Sequence, residues 1–506
     1  MEPSGILATL VGAGELLLSP INLAVIPLGL MLGTFIGAMP GMSAAMGTAL
    51  VLPFTFFIEP ITALLLLLGV YKGGIYGGSI PAILFNTPGT VASSCTSLDG
   101  YPLTQQGNSR KALDMALYAS VIADVVANAA LILFTGLLAT LALRFGASEM
   151  FALIFFALIT VASISGDQLF RGLVTTLFGL LAATVGIDNY YGTQRFTFDN
   201  YELWSGLSIL PLLVGLFAVG EIFSRMLIVT EDEIDAANAI TGSQHLTRSE
   251  LSDAMPTIVR GSLIGTILGA IPGIGAAAAA FFSYNEARRR SPNRELFGKG
   301  SLEGIAAAES ANNGVCSSSF IPVLALGIPG GTAAAVIMSA FIIHGITPGP
   351  ILFRENLELV YALYFGLMLG SVFLLIIGAI GVRLFARMVG IPQSILLPGV
   401  LVMCIFGAYA TDSSMLNVII MLAAGVLGLA FRMLSLPLAP FLIGFILGPM
   451  LENAFRDVLL QGSGGVGSFI DSWISLFFWS LTFLSLVFIV RSQMAGKSPD
   501  LDQPTN

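Results

Sequence analysis

The chain has 506 residues, 56% of them hydrophobic and only 10% charged, and its mean hydropathy is +0.90. Apolar runs close to the length of a bilayer crossing recur throughout, which excludes a soluble globule and predicts an all-α polytopic membrane protein. The net charge of -9 leaves no basic surface for nucleic acid, and the acids gather in connectors such as Glu231-Asp232-Glu233. Three cysteines and two histidines are too few and too scattered for a disulfide framework or a histidine metal cluster, so neither a cofactor nor a transition metal is expected.

In chain order, residues 1–20 read as an N-terminal interfacial or partly inserted helix, since Glu2 and Glu15 interrupt the apolar pattern. A first repeat covers 21–229, a polar linker 230–256, a second repeat 257–460, and a C-terminal helix with a polar tail 461–506. Together they predict about ten to twelve spans plus shorter broken or re-entrant helical pieces. The kinship of the halves is direct. Gly33-Thr-Phe-Ile-Gly37-Ala-Met-Pro40-Gly41 recurs as Gly265-Thr-Ile-Leu-Gly269-Ala-Ile-Pro272-Gly273, and Pro81-Ala-Ile-Leu-Phe-Asn86-Thr87-Pro88-Gly89 is answered by Pro322-Val-Leu-Ala-Leu-Gly327-Ile-Pro329-Gly330. Lys72 falls opposite Asn313, and Pro211 with Gly215 opposite Pro440 with Gly444.

Charge gives these repeats an orientation. Arg288, Arg289, Arg290, Arg294 and Lys299 crowd one loop, whereas its counterpart near Glu59-Pro60 has no basic residue. Basic loops stay in the cytoplasm, so equivalent loops face opposite sides and the repeats are inverted; parallel repeats are the alternative. Arg144, Arg195 and Arg456 depart from the rule by falling outside. The aromatic stretch from Tyr190-Tyr191 to Trp204 reads as an external interfacial belt, and the arginine run also suits contact with membrane lipid.

Helix breakers at matching places in two membrane repeats point to a transporter's binding site. Irregular backbone persists in hydrocarbon only where it is buried in protein or lines a wet cavity. Half-helix N-termini there present N–H groups to an anion, and freed carbonyls suit a small cation. Candidate substrate residues are Lys72, Asn86, Thr87, Pro88, Gly89, Thr90 and Ser94 in the first half, with Pro329, Gly330, Gly331 and Thr332 in the second. Candidate cation residues are Gly41, Ser43, Gly273, Asn312, Asn313, Ser317 and Gly327. The competing reading is that Gly, Ser and Ala merely let helices pack closely. Lys72 either meets an anion or pairs with Glu309 or another acid, and Asp124 with Asn128 forms an ion site or an interhelical polar contact. His344 reads as a loop residue. The contrast of Asn86 with Gly327, and of Lys72 with Asn313, reads as one half favouring substrate and the other ions.

Gly37-Ala-Met-Pro-Gly41, Tyr76-Gly-Gly-Ser-Ile-Pro-Ala-Ile-Leu-Phe-Asn-Thr-Pro-Gly89 and Asp99-Gly-Tyr-Pro102 resemble the large membrane subunit, TctA, of the bacterial tripartite tricarboxylate transporters, as do Glu309-Ser-Ala-Asn-Asn313 and Leu326-Gly-Ile-Pro-Gly-Gly331. The resemblance runs from about residue 5 to residue 490. It implies a secondary active transporter of the bacterial inner (cytoplasmic) membrane that imports citrate or another organic carboxylate by cation symport, with sodium as coupling ion and protons as the alternative. It also implies a small TctB-like membrane subunit and a TctC-like periplasmic solute-binding protein as partners. An elevator-type motion is expected. The rival class is a passive channel or membrane scaffold for organic anions. An enzyme is not expected, since the chain carries neither a phosphate-binding Gly-Lys-Ser/Thr loop nor a Gly-x-Ser-x-Gly or His-Glu-x-x-His motif.

Overall fold

The computed structural model describes residues 3–39, 41–163, 169–188, 190–227, 244–388, 393–461 and 466–494. The first half runs α1 (Pro3–Leu17), α2 (Pro20–Ala38), α3 (Ala44–Thr55), α4 (Pro60–Gly77), α5 (Ser79–Phe85), α6 (Ser93–Gln105), α7 (Ser109–Ala142), α8 (Ala147–Ser163) and α9 (Leu169–Ala183), then α10 (Ile209–Leu213) and α11 (Gly220–Leu227) around a π-helical stretch, Val214–Val219. The second half runs α12 (Arg248–Ala270), α13 (Gly275–Arg290), α14 (Leu302–Ser318), α15 (Phe320–Leu326), α16 (Thr332–Ile343), α17 (Leu352–Glu355), α18 (Leu357–Met388), α19 (Gln393–Asp412), α20 (Met415–Met433) and α21 (Leu438–Gln461). α22 (Trp473–Met494) follows, and among the described residues the only strands are β1 (Gly186–Ile187) and β2 (Gln194–Arg195), paired antiparallel. From α2 and α12 onward the two halves repeat one order of helices, with the β1–β2 pair inserted in the first and α17 in the second.

Seven described helices are long and apolar enough to cross a membrane, and seven apolar helices are shorter. Full-length spans and shorter apolar helices thus occur together among the described residues. The chain is an all-α, multi-pass membrane protein in which breaks shorten several helices, and α14 is diluted by Glu309, Asn312, Asn313 and serines. The expected linker also contracts. Residues 230–243 lie outside the described residues, but α12 begins at Arg248, nine residues before the expected start of the second repeat. A capping box explains this: the Thr247 hydroxyl accepts from Glu250 N at 3.2 Å while Glu250 Oε2 accepts from Thr247 N at 2.8 Å.

Glycine spacing sets the closest helix pairs. Along α2, Gly29, Gly33 and Gly37 lie one turn apart, and a Cβ added to each would sit 2.4, 2.1 and 2.3 Å from Leu66 O, Val70 O and Gly74 O of α4. In α12, Gly265 approaches Ala311 O of α14 in the same way, at 2.3 Å. These glycines let backbones meet where a side chain has no room, so for Gly33, Gly37 and Gly265 the packing role is the observed one.

Compactness cuts across the repeats. One unit contains Met1–Leu143 with Ile209–Leu429, and the other Arg144–Ser208 with Ala430–Asn506. In the first unit α20 closes on the π-helical stretch, where an added Gly215 Cβ would lie 2.3 Å from Met421 O. In the second unit α9 closes on α21, where an added Gly444 Cβ would lie 2.6 Å from Thr176 O. Gly215 and Gly444 are repeat equivalents, so each half supplies the helix that packs against the other half's closing segment.

Candidate functional site

Within the first unit, both breaks of each half fold onto one another. α5 ends at Asn86, which adopts a left-handed backbone (φ 54°), and Thr87 N donates back to Pro81 O at 3.3 Å. α15 ends identically at Gly327 (φ 71°), with Ile328 N donating to Pro322 O at 3.2 Å. The paired prolines sit in the first turn, where a missing N–H leaves no intrahelical bond unmade, and their carbonyls accept the reversing bond. Asn86 and Gly327 therefore do the same backbone work; their difference does not divide the halves at this level. Asn tolerates the left-handed state and Gly adopts it freely. Asn86→Gly is expected to keep wild-type thermal stability, whereas Asn86→Val lowers the unfolding midpoint by an amount matching about 1–2 kcal/mol, read by fluorescence-detected melting.

The second break then seats on the first. Gly89 packs against Gly37 O, where an added Cβ would come within 2.0 Å, and Gly330 packs against Gly269 O, at 3.0 Å. Gly273 (φ 95°) donates its N–H to Gly330 O at 3.0 Å. The Gly89 N–H, expected to face a carboxylate, instead donates to Gly78 O at 3.2 Å. Thr90 shares a 2.6 Å hydroxyl contact with Ser93 and accepts from Ser93 N, which tucks it over the start of α6, and Ser94 lies in the first turn of that helix. Thr87 Oγ1 is buried and has no partner. Gly331 is extended and caps α16, and a Cβ there would meet nothing within 4 Å, so Thr332 and the α16 N-terminus border open space. Pro88 and Pro329 shape the two turns by their fixed φ. Pro40 lies outside the described residues.

Gly41 (φ 75°) was a candidate cation residue, but a Cβ there would lie 2.3 Å from Nη2 of Arg225. The Arg225 guanidinium thus lies beside this turn. Arg225 also holds Glu221 at 2.7 Å. Ser43 accepts from Met46 N at 3.1 Å and caps α3.

Beside the breaks, α7 and α14 face each other with polar residues one turn apart: Ser120, Asp124 and Asn128 against Glu309, Asn313 and Ser317. Lys72 reaches this seam from α4. Its Nζ lies 2.7 Å from Asp124 Oδ2 and donates to Leu367 O of α18 at 2.7 Å. Ser317 and Ser371 hydroxyls donate to the same carboxylate at 2.9 and 2.5 Å, and Asn128 Nδ2 donates to Ser371 Oγ at 3.0 Å. Lys72 therefore pairs with Asp124, an acid other than Glu309, and its ammonium lies in the helix seam. Glu309 accepts from Thr96 of α6, from Ser120 at 3.2 Å and from Asn313 Nδ2 at 3.2 Å. Asn312 is fully buried and neither of its side-chain polar atoms has a partner.

In the second unit, Asp188 follows β1 and receives Arg456 at 2.6 Å, while Glu452 holds both Arg456 and Arg195, at 2.6 and 2.8 Å. The Arg456 guanidinium holds the Asp188 carboxyl well below the usual carboxylate range. Two of the three arginines that broke the charge rule are thus bound to acids of their own unit. Tyr191 and Trp204 nearby remain exposed, and Tyr190 stacks under Arg456, 4.8 Å from its ring centroid. His344 caps α16 and is part-buried.

Ser120, Ser371 and Arg225 escaped the sequence reading. Ser120 had a signal, the i, i+4, i+8 spacing with Asp124 and Asn128 on an apolar helix; Arg225 had none, because only folding brings it to Gly41.

Duplicated broken helices, packed break on break beside a buried ion-paired seam, define a helical membrane protein of transporter build. The chain belongs to the tripartite tricarboxylate transporter TctA family, whose sequence profile matches residues 23–443, and it is a component of such a transporter. It is 36% identical over 463 residues, 91% of either chain, to an uncharacterized 52.8 kDa protein in the TAR-I ttuC' 3' region of Agrobacterium vitis. It is 34% identical over 239 residues, covering 47% of this chain and 98% of the other, to an uncharacterized protein in the TAR-II ttuC' 3' region of the same organism. No solved structure matches.

Proposed function

We propose that the chain is the carrier subunit that moves a di- or tricarboxylate, citrate or a related organic acid, across the bacterial inner membrane together with a cation, sodium or alternatively a proton. The observation that carries this reading is the seating of Gly89 on Gly37 and of Gly330 on Gly269, which in each half buries two stretches of irregular backbone against one another. Asn86, Thr87 and the α16 N-terminus at Gly331 and Thr332 receive carboxylate oxygens, and Asn312, Asn313 and Ser317 serve the cation. The repeats are inverted and alternate access proceeds by an elevator-type slide. A small TctB-like subunit completes the membrane assembly, and a TctC-like periplasmic solute-binding protein delivers the substrate.

Reconstitution with those two partners and a labelled panel of carboxylates tests it. The expected result is accumulation above the external concentration when sodium is supplied outside, and none when sodium is equal on both sides. Equilibration independent of any gradient identifies a pore and overturns the carrier. Asn86→Gly, which keeps the helix cap, is expected to lose uptake.

A further inference from the structure

Along the seam between α7 and α14 there are two buried carboxylates and one buried ammonium. Asp124 is balanced by Lys72, while Glu309, fully buried, has no basic partner among the described residues. Leaving such an anion uncompensated in a dry interior is costly, and hydrogen bonds from neutral groups do not remove its charge. Among the described residues, nearby basic side chains of the elements packed around Glu309 are engaged elsewhere: Lys72 of α4 holds Asp124 and Arg110 of α7 holds Asp114. α4 presents Tyr76 within electrostatic reach and α6 presents Cys95, while Tyr284 of α13 is spent on Asp99. From α12, Gly261 and Gly265 come up against Ser310 and Ala311.

Besides the Asn313 amide, which donates to both Glu309 and Ser120, hydroxyl oxygens surround the carboxylate. Thr96 and Ser120 each donate one hydrogen bond to it, and Ser120, which also accepts from Asn313 Nδ2 at 2.8 Å, keeps one lone pair. The Tyr76 hydroxyl, 1% exposed, has no partner at all, and Asn312 on the adjoining turn of α14 is equally unspent. One carboxylate with neutral hydroxyl oxygens, on three helices from both halves, is the donor set of a hard monovalent cation. We infer that Glu309, with Thr96 and Ser120, forms a sodium site. It rests on the carrier reading and deepens it: the coupling ion is held by a carboxylate in the seam and neutralises it, so both acids of the seam are charge-balanced when the ion is bound.

The test uses the purified chain in detergent, with sodium chloride exchanged for choline chloride at constant ionic strength and pH, read by unfolding midpoint and by binding of labelled sodium. The wild type is expected to show a saturable stabilisation that potassium does not reproduce. Glu309→Gln is expected to abolish it, and Thr96→Val to weaken apparent affinity about tenfold, the size of one lost ligand. A wild type indifferent to sodium, a response that follows pH alone, or full sodium binding in Glu309→Gln overturns the site. Should Glu309→Gln not fold, unchanged affinity in the near-isosteric Thr96→Val overturns it instead. The assay needs no carboxylate, so sodium binding without uptake sinks the carrier and leaves the site. Sodium-driven uptake surviving in Glu309→Gln sinks the site and leaves the carrier.

Discussion

Replacing Lys72 by methionine is expected to be among the most damaging single changes in the chain. The ammonium and Asp124 are 3% and 2% exposed, 2.7 Å apart. Methionine fills the same volume but leaves Asp124 with only the hydroxyls of Ser317 and Ser371. Breaking one side of a buried pair costs about 3–5 kcal/mol, because the remaining charge keeps its desolvation penalty and loses its compensation. Lys72 also ties α4 to the Leu367 carbonyl of α18, so three helices loosen together. The measurement is the midpoint of thermal unfolding in detergent, together with the yield of monodisperse protein. The double variant Lys72→Met with Asp124→Leu removes both charges and is expected to recover most of the loss. A single variant as stable as wild type, or a double variant no better than the single, refutes the pairing as the source of stability.

Gly33→Val is expected to separate α2 from α4. Even the first atom of a side chain there would lie 2.1 Å from Val70 O and 2.8 Å from Val70 Cα, and neither is the end of a flexible group that could move aside. Overpacking a core commonly costs about 1–3 kcal/mol, and a clash against backbone falls at or above the upper end. α2 carries the first break, so the damage reaches Gly37 and the Gly89 turn seated on it. Gly136→Ala in α7 is the control: an added Cβ meets nothing within 4 Å, and the helix gains propensity. The pair separates glycine as a packing necessity from glycine as filler, with melting midpoint and assembly in detergent as readouts.

Much of this was legible beforehand, and the reasons are local. Pro81 with Gly89, and Pro322 with Gly330, announce broken helices because proline removes a donor and glycine permits the reversal. The equivalence of Asn86 and Gly327 was hidden behind different side chains, since what they share is a positive φ. Lys72 was visible as a costly charge, but its choice between Glu309 and Asp124 was not. Both acids lie within reach of an apolar segment in one dimension, and only helix rotation decides which of them faces it. The neighbour of Gly41 was hidden as well: Arg225 lies 184 residues further along the chain.

Composition and periodicity by themselves determined that the chain crosses a membrane as helices, that it is a duplication, and where those helices break. Each follows from the cost of exposing backbone or charge to hydrocarbon, a property of residue type and spacing. The tertiary structure alone decided the partners. It placed α9 on α21 and α20 on the π-helical stretch, so that compact units do not follow the repeats, and it gave Asp124 its lysine while giving Glu309 none among the described residues. Those outcomes depend on which helix faces come together. Repeat sequences specify similar faces twice, and only packing in three dimensions selects which copy each face meets.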